Sequence, residues 1–205
     1  MNTVVDTTYI DLMKKRRSIR KIGDQLTFGT HEIADLIEKA IKESPTAFNN
    51  QSTRAMILFG QSSDKVWEIT ADRLKSEVSN ADAYAATKAK LNAFKAGFGT
   101  ILFFTDRPTI AQNEKQFALY ADNFADWAEQ GLGGAQLSVW TALALNQIGA
   151  SNQHYNPLID DQVKQAFDVP NGWVLRSEMP FGSIEETAAA KDYIDDDSRF
   201  KIIAD

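Results

Sequence analysis

Apolar positions recur along this chain with two periods, one near 3.6 and one of short unbroken runs, and together they predict a mixed series of helices and strands. Tyr9, Ile10, Leu12 and Met13 form the apolar face of a first helix over Thr8–Lys15. Ile33, Leu36, Ile37, Ala40 and Ile41 mark a second over 31–43, with Thr30 as its N-cap. The run at 55–60 reads as a buried strand. Val66, Trp67, Ile69, Leu74 and Val78 then follow Ser62 and Ser63 at helical spacing, and Asn80 and Asp82 open an Ala-rich helix that stops at Gly97. A second buried strand at 100–104 is closed by Asp106 and Pro108.

From 110 to 130 the pattern is an amphipathic helix with Phe117, Tyr120, Phe124 and Trp127 three and four residues apart, a stripe that reads as core. Beyond Gly131 the segment 132–148 is apolar around much of its circumference, which predicts a helix buried on most sides, within the domain or between subunits. Gly133, Gly134 and Ala135 would let a neighbour approach it closely. Asn156 and Pro157 read as an N-cap and first helical residue opening a helix to Phe167, and 173–182 as a strand leading to a turn. The tail from Ile184 is acidic at Asp195–Asp197, yet ends in Phe200, Ile202 and Ile203, too apolar for a free end. No repeat, low-complexity linker or composition shift interrupts residues 1–205, which read as one domain with a C-terminal arm at about 184–205.

At 205 residues, 43% hydrophobic and 24% charged, the chain is large enough for a sizeable core and is neither disordered nor fibrous. It has no Cys, which removes disulfides and thiolate chemistry. Its two His, His31 and His154, lack metal-ligand spacing, so no metal site is expected. No apolar leader follows the N-terminus and no run reaches membrane-spanning length, which together with the missing Cys points to a cytoplasmic protein with no membrane partner. A net charge of −6 argues against nucleic acid. The GxG at 97–99 precedes a strand and the one at 131–133 lies between helices, so neither is a Rossmann turn; Walker A and GxSxG patterns are absent.

Two stretches carry candidate chemistry. At 14–21, six of eight residues are basic. Lys14 and Lys15 suit the last turn of a helix, where cations meet the negative end of the dipole. Arg16, Ser18 and Arg20 alternate and in extended backbone would share one side, as a phosphate clamp does. At 44–54, Pro45 ends the preceding helix, and two hydroxyls, two Asn amides and a Gln amide follow within eight residues. Such a loop either binds a flat, heteroatom-rich ligand or spends these groups on its own backbone.

In their order and spacing, Arg16-Arg17-Ser18-Ile19-Arg20 and Ser44-Pro45-Thr46-Ala47-Phe48-Asn49-Asn50-Gln51 resemble the opening of the FMN-dependent nitroreductases. Phe48 to Arg54, Gly97 to Phe104 and His154-Tyr155-Asn156-Pro157 are similar to the branch that holds the yeast fatty-acid-repression proteins and small bacterial relatives. The resemblance spans nearly the whole chain. It implies an α+β nitroreductase-like fold, a small mixed or antiparallel sheet surrounded by helices, in an intertwined homodimer with FMN between subunits. It also implies NADH or NADPH as donor and nitroaromatic or quinone-like acceptors; the alternative is a flavin-binding regulatory or stress-response protein with incidental turnover. Arg16, Arg17, Ser18 and Arg20 fall on positions that hold the phosphate, ribityl chain and ring edge. Ser44, Pro45, Thr46, Asn49 and Gln51 fall on the loop that reaches the flavin from the partner, Gln153 and His154 on the loop near N5, and Arg199 on a C-terminal arginine that returns to the phosphate. No side-chain acid or base is required, since flavin N5 carries the hydride. The chain departs from the family where Ser52-Thr53 replace Pro-Trp and Asp197 replaces Lys; for the pyrimidine contacts, Asn92 and Lys95 are the candidates.

Overall fold

In the computed structural model, which describes residues 4–204, a central strand buried on both faces organises the rest. Strand β3 (Gly99–Asp106) is buried at every position. Ile101 and Phe103 point into one hydrophobic cluster, Leu102 and Phe104 into another on the opposite face. Period-two alternation thus feeds two cores, and a strand covered on both sides shows the unbroken apolar run seen in the sequence.

In chain order the elements begin with α1 (Thr8–Lys15), β1 (Ile22–Gly23), α2 (Thr30–Lys42), β2 (Thr53–Phe59), α3 (Gln61–Leu74) and α4 (Ala81–Lys95). After β3 come α5 (Arg107–Gln116), α6 (Phe124–Leu145), β4 (Gly149–Ala150), α7 (Asp160–Phe167), β5 (Trp173–Ile184) and α8 (Asp196–Arg199). The five-stranded sheet runs β1-β5-β3-β2, with β4 also on β5, and all four strand pairings are antiparallel. One parallel bridge, Ser18 to Ala150, makes it mixed. Helices α2 and α6 cover one face, through Ile33, Ile37, Leu132, Val139 and Leu143; α3, α4 and α7 cover the other, through Val66, Trp67, Leu91, Phe94 and Val163. Each such side chain is worth about 1.5 to 3 kcal/mol when fully buried. Among the described residues no helix is long and apolar enough to cross a membrane.

Several boundaries differ from the sequence pattern, each for a local reason. Helix α2 starts at Thr30, with Gly29 as N-cap and its N–H donated to Glu32 Oε2 at 2.8 Å. The stretch 110–130 is not one helix: α5 ends at Phe117 (φ −121°, ψ 58°), a 3₁₀ segment covers Ala118–Asn123, and α6 begins at Phe124. Nor does Gly131 start a new helix. It lies inside α6 because a Cβ there would come within 3.1 Å of Thr46 Cγ2, so the glycine serves close approach. The neighbours Gly133 and Gly134 face open space instead. The Asn156–Pro157 peptide is cis and α7 begins only at Asp160, so Pro157 is not its first residue. Strand β5 continues past Gly182 to Ile184, because Ile184 and Ser183 pair with β1.

Candidate active site

The basic strip is held extended by its one apolar residue. Ile19 is buried and donates its N–H to the Ala150 carbonyl at 2.9 Å, while Ser18 bridges the same strand. Burying Ile19 sends its neighbours Ser18 and Arg20 the other way. Both line a cavity of about 370 Å³ together with Lys21, Lys90 and residues 186–189, where the Glu186 carboxylate pairs with Lys21 at 3.2 Å. Arg16 departs from the alternation. Its guanidinium lies 4.4 Å over the Trp140 ring on α6, and it lines a second cavity with Arg17, Lys14, Lys191 and Tyr193. Burial, and then the neighbouring Arg17, lowers the Arg16 pKa from its usual value. Arg17 is tied to the Ala189 carbonyl at 2.6 Å, which brings the C-terminal arm against the strip.

The loop 44–51 is built by strain. Phe48, Asn49 and Gln51 all have positive φ, at 53°, 50° and 50°. For residues other than glycine this costs roughly 1–2 kcal/mol each, less for Asn. Most of the hydroxyls and amides counted in the sequence are consumed here. Ser44 Oγ donates to the Ala40 carbonyl at 2.7 Å, Thr46 Oγ1 accepts the Gln51 N–H at 2.9 Å, and Asn50 Oδ1 accepts the Ser52 N–H at 3.0 Å. Asn49 and Gln51 are exposed, and among the described residues their side-chain amides have no protein partner. Pro45, Thr46 and Phe48 line a cavity of about 430 Å³ with Trp127, Gln130, Gly131 and Gly134. The Phe48 ring sits 4.4 Å from Phe117 and 5.6 Å from Phe124, with Tyr120 and Trp127 both at 6.1 Å. The aromatic stripe is therefore core at Phe124 and an open wall at Tyr120 and Phe48.

Strip and loop do not meet within one chain. Both lean on α6, Arg16 at Trp140 and Thr46 at Gly131. Nine residues along a helix amount to about 14 Å and about two and a half turns, so these contacts lie on opposite sides of it.

The loop 152–156 is fastened from below. Glu178 on β5 is fully buried, its backbone pairs with Gln153, and its Oε2 accepts the Tyr155 N–H at 2.9 Å. Its other oxygen is buried without a partner, as are Oδ1 of Asn152, Asn156 and Asp160. Burial, reinforced by Asp160, pushes the Glu178 carboxyl up to about 7 despite the opposing Tyr155 hydrogen bond. Tyr155 is likewise raised to about 12, by burial first and Glu178 second. Gln153 is buried with its amide on Ser151 Oγ at 3.0 Å, whereas His154 is exposed. Arg199 is exposed on α8, 5.3 Å over the Phe200 ring, and lines neither cationic cavity.

One candidate is redirected. Lys95 is ion-paired with Glu68 at 2.7 Å, and Asn92 is exposed on α4 outside the lining of the Ser18 cavity. Lys90, which the sequence reading did not single out, lines that cavity with Ser18 and Arg20. Helical spacing carried the signal: Leu91 and Phe94 are buried, so Lys90 and Lys95 fall on different flanks of the helix.

The sequence pattern of the Nitroreductase family matches residues 13–183. The chain belongs to the nitroreductase family. It is 31% identical over 192 residues to a Saccharomyces cerevisiae protein bearing the name nitroreductase HBN1, covering 93% of this chain and 95% of that one. Nitroreductase CinD from Lactococcus lactis, solved in complex with nicotinic acid, superposes with a TM-score of 0.88 at 45% identity, covering 96% of this chain and 100% of that one. CinD has also been solved with chloramphenicol and with 4-nitrophenol. A Desulfovibrio desulfuricans nitroreductase-type protein in complex with FMN shares the fold at 17% identity, with a TM-score of 0.70 over 97% of this chain and 98% of that one. The nitroreductase fold thus places the strip, the strained loop and the Glu178-fastened loop on one scaffold.

Proposed function

We propose that this nitroreductase-family chain is an FMN-dependent oxidoreductase that takes hydride from NADH or NADPH and reduces nitroaromatic or quinone-like acceptors, working as a homodimer. One observation carries the reading: the chain holds two complementary half-sites, a cationic strip and an outward amide loop, on opposite sides of α6. Each is incomplete alone, and a second copy can supply what the first lacks.

The donor set fits the cofactor. FMN presents a dianionic phosphate and a polar ring edge; Arg16, Arg17, Arg20 and Lys90 offer cations, Lys21 being paired with Glu186, and Asn49 and Gln51 offer amides without a protein partner among the described residues. Arg16 and Arg17 would hold the phosphate, Ser18 and Arg20 the ribityl chain and ring edge; Arg199, which lines neither cavity, would reach the phosphate only from an arm repositioned by the second subunit. Ser44, Pro45, Thr46, Asn49 and Gln51 of the partner subunit's loop would complete the site. When bound, the flavin supplies the two-electron redox chemistry, so the chain needs no acid or base of its own. Gln153 and His154 would cover one side of the ring and exclude water, and the Phe48 wall offers a flat apolar face for an aromatic acceptor. The nicotinic acid and 4-nitrophenol complexes of CinD, both with flat aromatic rings, support that acceptor class.

Reconstitution with FMN followed by NAD(P)H oxidation with 4-nitrophenol or a quinone tests the reading. The expected result is a yellow dimer with acceptor-dependent turnover. A folded protein that retains no FMN overturns it, and one that binds FMN without turnover favours the regulatory role.

A further inference from the structure

Three residues outside glycine's normal company sit at positive φ in the loop, and something must hold them there. Arg54 on β2, whose side chain is 30% exposed, is placed to do so. Its Nη1 donates to the carbonyl of Gln51, the last left-handed residue, and to that of Thr53 at 3.1 Å. Its Nη2 donates to Asp106 Oδ2 at 2.8 Å and to Thr109 Oγ1 at 3.3 Å. Thr109 Oγ1 donates to the same carboxylate oxygen, and the Asp106 N–H returns to the Ser52 carbonyl at 2.9 Å. Asp106 and Thr109 belong to the start of α5, and α5 leads to Phe117, the ring on which Phe48 rests. The contacts close a circuit: loop, Arg54, α5, aromatic segment, and back through Phe48 to the loop.

We propose that Arg54 is a positioning residue that clamps the loop 48–51, left-handed at Phe48, Asn49 and Gln51 and right-handed at Asn50, and couples it to the Phe117–Trp127 segment, so that amide loop and aromatic wall move as one unit. The clamp follows from two forks of one guanidinium, and only Arg supplies donors in both directions from a planar group. Lys would keep one ionic contact with Asp106 and lose the simultaneous hold on the carbonyls. The consequence for flavin rests on the function proposed above.

The test is hydrogen exchange on the full-length, flavin-free protein, paired with FMN titration, for Arg54→Met, Arg54→Lys and Asp106→Asn. Loss of charged hydrogen bonds should raise exchange in Arg54→Met at least about tenfold at the amides of Asn49–Ser52 and of the 118–124 segment together, with β3 unchanged. FMN affinity should fall by a similar factor, and Arg54→Lys should be intermediate in both. Where Arg54→Met does not fold, Asp106→Asn reads the same coupling from the other end. Unchanged exchange in the loop, a rise in the loop without the aromatic segment, or a uniform rise that includes β3 overturns the clamp. A paired rise with FMN affinity untouched upholds the clamp and instead sinks the assignment of this loop to the flavin.

Discussion

The two halves of the proposed site are built by opposite means. The strip at 16–20 is cheap in conformation and rich in charge: one buried isoleucine and one bridge to Ala150 align it, and its cations stand around open cavities. The loop at 44–51 carries no formal charge, and its shape comes from three positive φ angles held by Phe48, Thr46 and Arg54. On the proposed function one half would attract a ligand through its field, which salt screens, and the other would meet it through fixed geometry, which salt does not. Mutations in the two halves should therefore fail differently.

The largest expected effect lies on the floor shared by the strip and its covering loop. β4 and β5 support both, and there Glu178 is raised to about 7 from 4.5. A carboxyl raised by folding binds its proton more tightly in the native state, so its contribution is fully present below about pH 4.5, falls as pH rises to about 7, and is lost above. Burial and then the Asp160 charge oppose the ionised form, against the Tyr155 N–H hydrogen bond that favours it, while the Arg176 charge acts on Asp160. At about 1.4 kcal/mol per pKa unit the decline amounts to about 3 kcal/mol. Glu178→Gln should flatten it and leave the variant more stable than wild type at pH 8 in chemical denaturation, with the Tyr155 N–H still accepted. A parallel decline in both proteins would locate the titration elsewhere.

Next come the contacts that define the comparison. Arg16→Ala or Arg20→Ala should each weaken FMN binding by about 1.5 to 3 kcal/mol, with a loss that shrinks as salt is raised. Asn49→Ala or Gln51→Ala should cost about 0.5 to 1.5 kcal/mol, independent of salt, with apo stability nearly unchanged. Isothermal titration at two ionic strengths separates these patterns; identical salt dependence would erase the distinction between the halves. A smaller effect sharpens the strain argument. Gln51→Gly removes a left-handed glutamine at φ 50° and should stabilise the apoprotein by up to about 1 kcal/mol in thermal melts, while weakening FMN. The smallest is an expected absence of effect: Lys95→Ala, which breaks only the exposed pair with Glu68, should leave FMN affinity unchanged, whereas Lys90→Ala should reduce it.

This contrast also explains what could be read from the chain. Ile101 to Phe104 announced a buried strand because apolar burial is written in residue types, and the cations at 14–21 marked a candidate anion site for the same reason. Positive φ at Phe48 and Gln51 left no such mark, since neither residue favours that conformation and tertiary contacts impose it. Gly131 was misread as a boundary because a glycine that ends a helix and one that admits Thr46 look alike in sequence. Lys95 was offered as a candidate by resemblance, whereas the buried face set by Leu91 and Phe94 puts Lys90 at the Ser18 cavity and Lys95 on Glu68. The Glu178 carboxyl lay within a run read only as a strand, where nothing in the sequence indicated total burial. The arm leaves Phe200 59%, Ile202 91% and Ile203 77% accessible in the single chain, so none of the three is buried against the described residues.

The central claim, that each site takes its cations from one subunit and its loop from the other, is tested most directly by mixing two crippled chains. An Arg20→Ala chain and an Asn49→Ala/Gln51→Ala chain, each deficient in FMN binding as a homodimer, are co-expressed with different tags and the mixed dimer is isolated. One of its sites then combines both defects, and the other combines the intact strip of one chain with the intact loop of its partner. The account predicts wild-type affinity at half of the sites, read as one FMN per dimer with a normal dissociation constant. A mixed dimer that binds no better than either parent would contradict it.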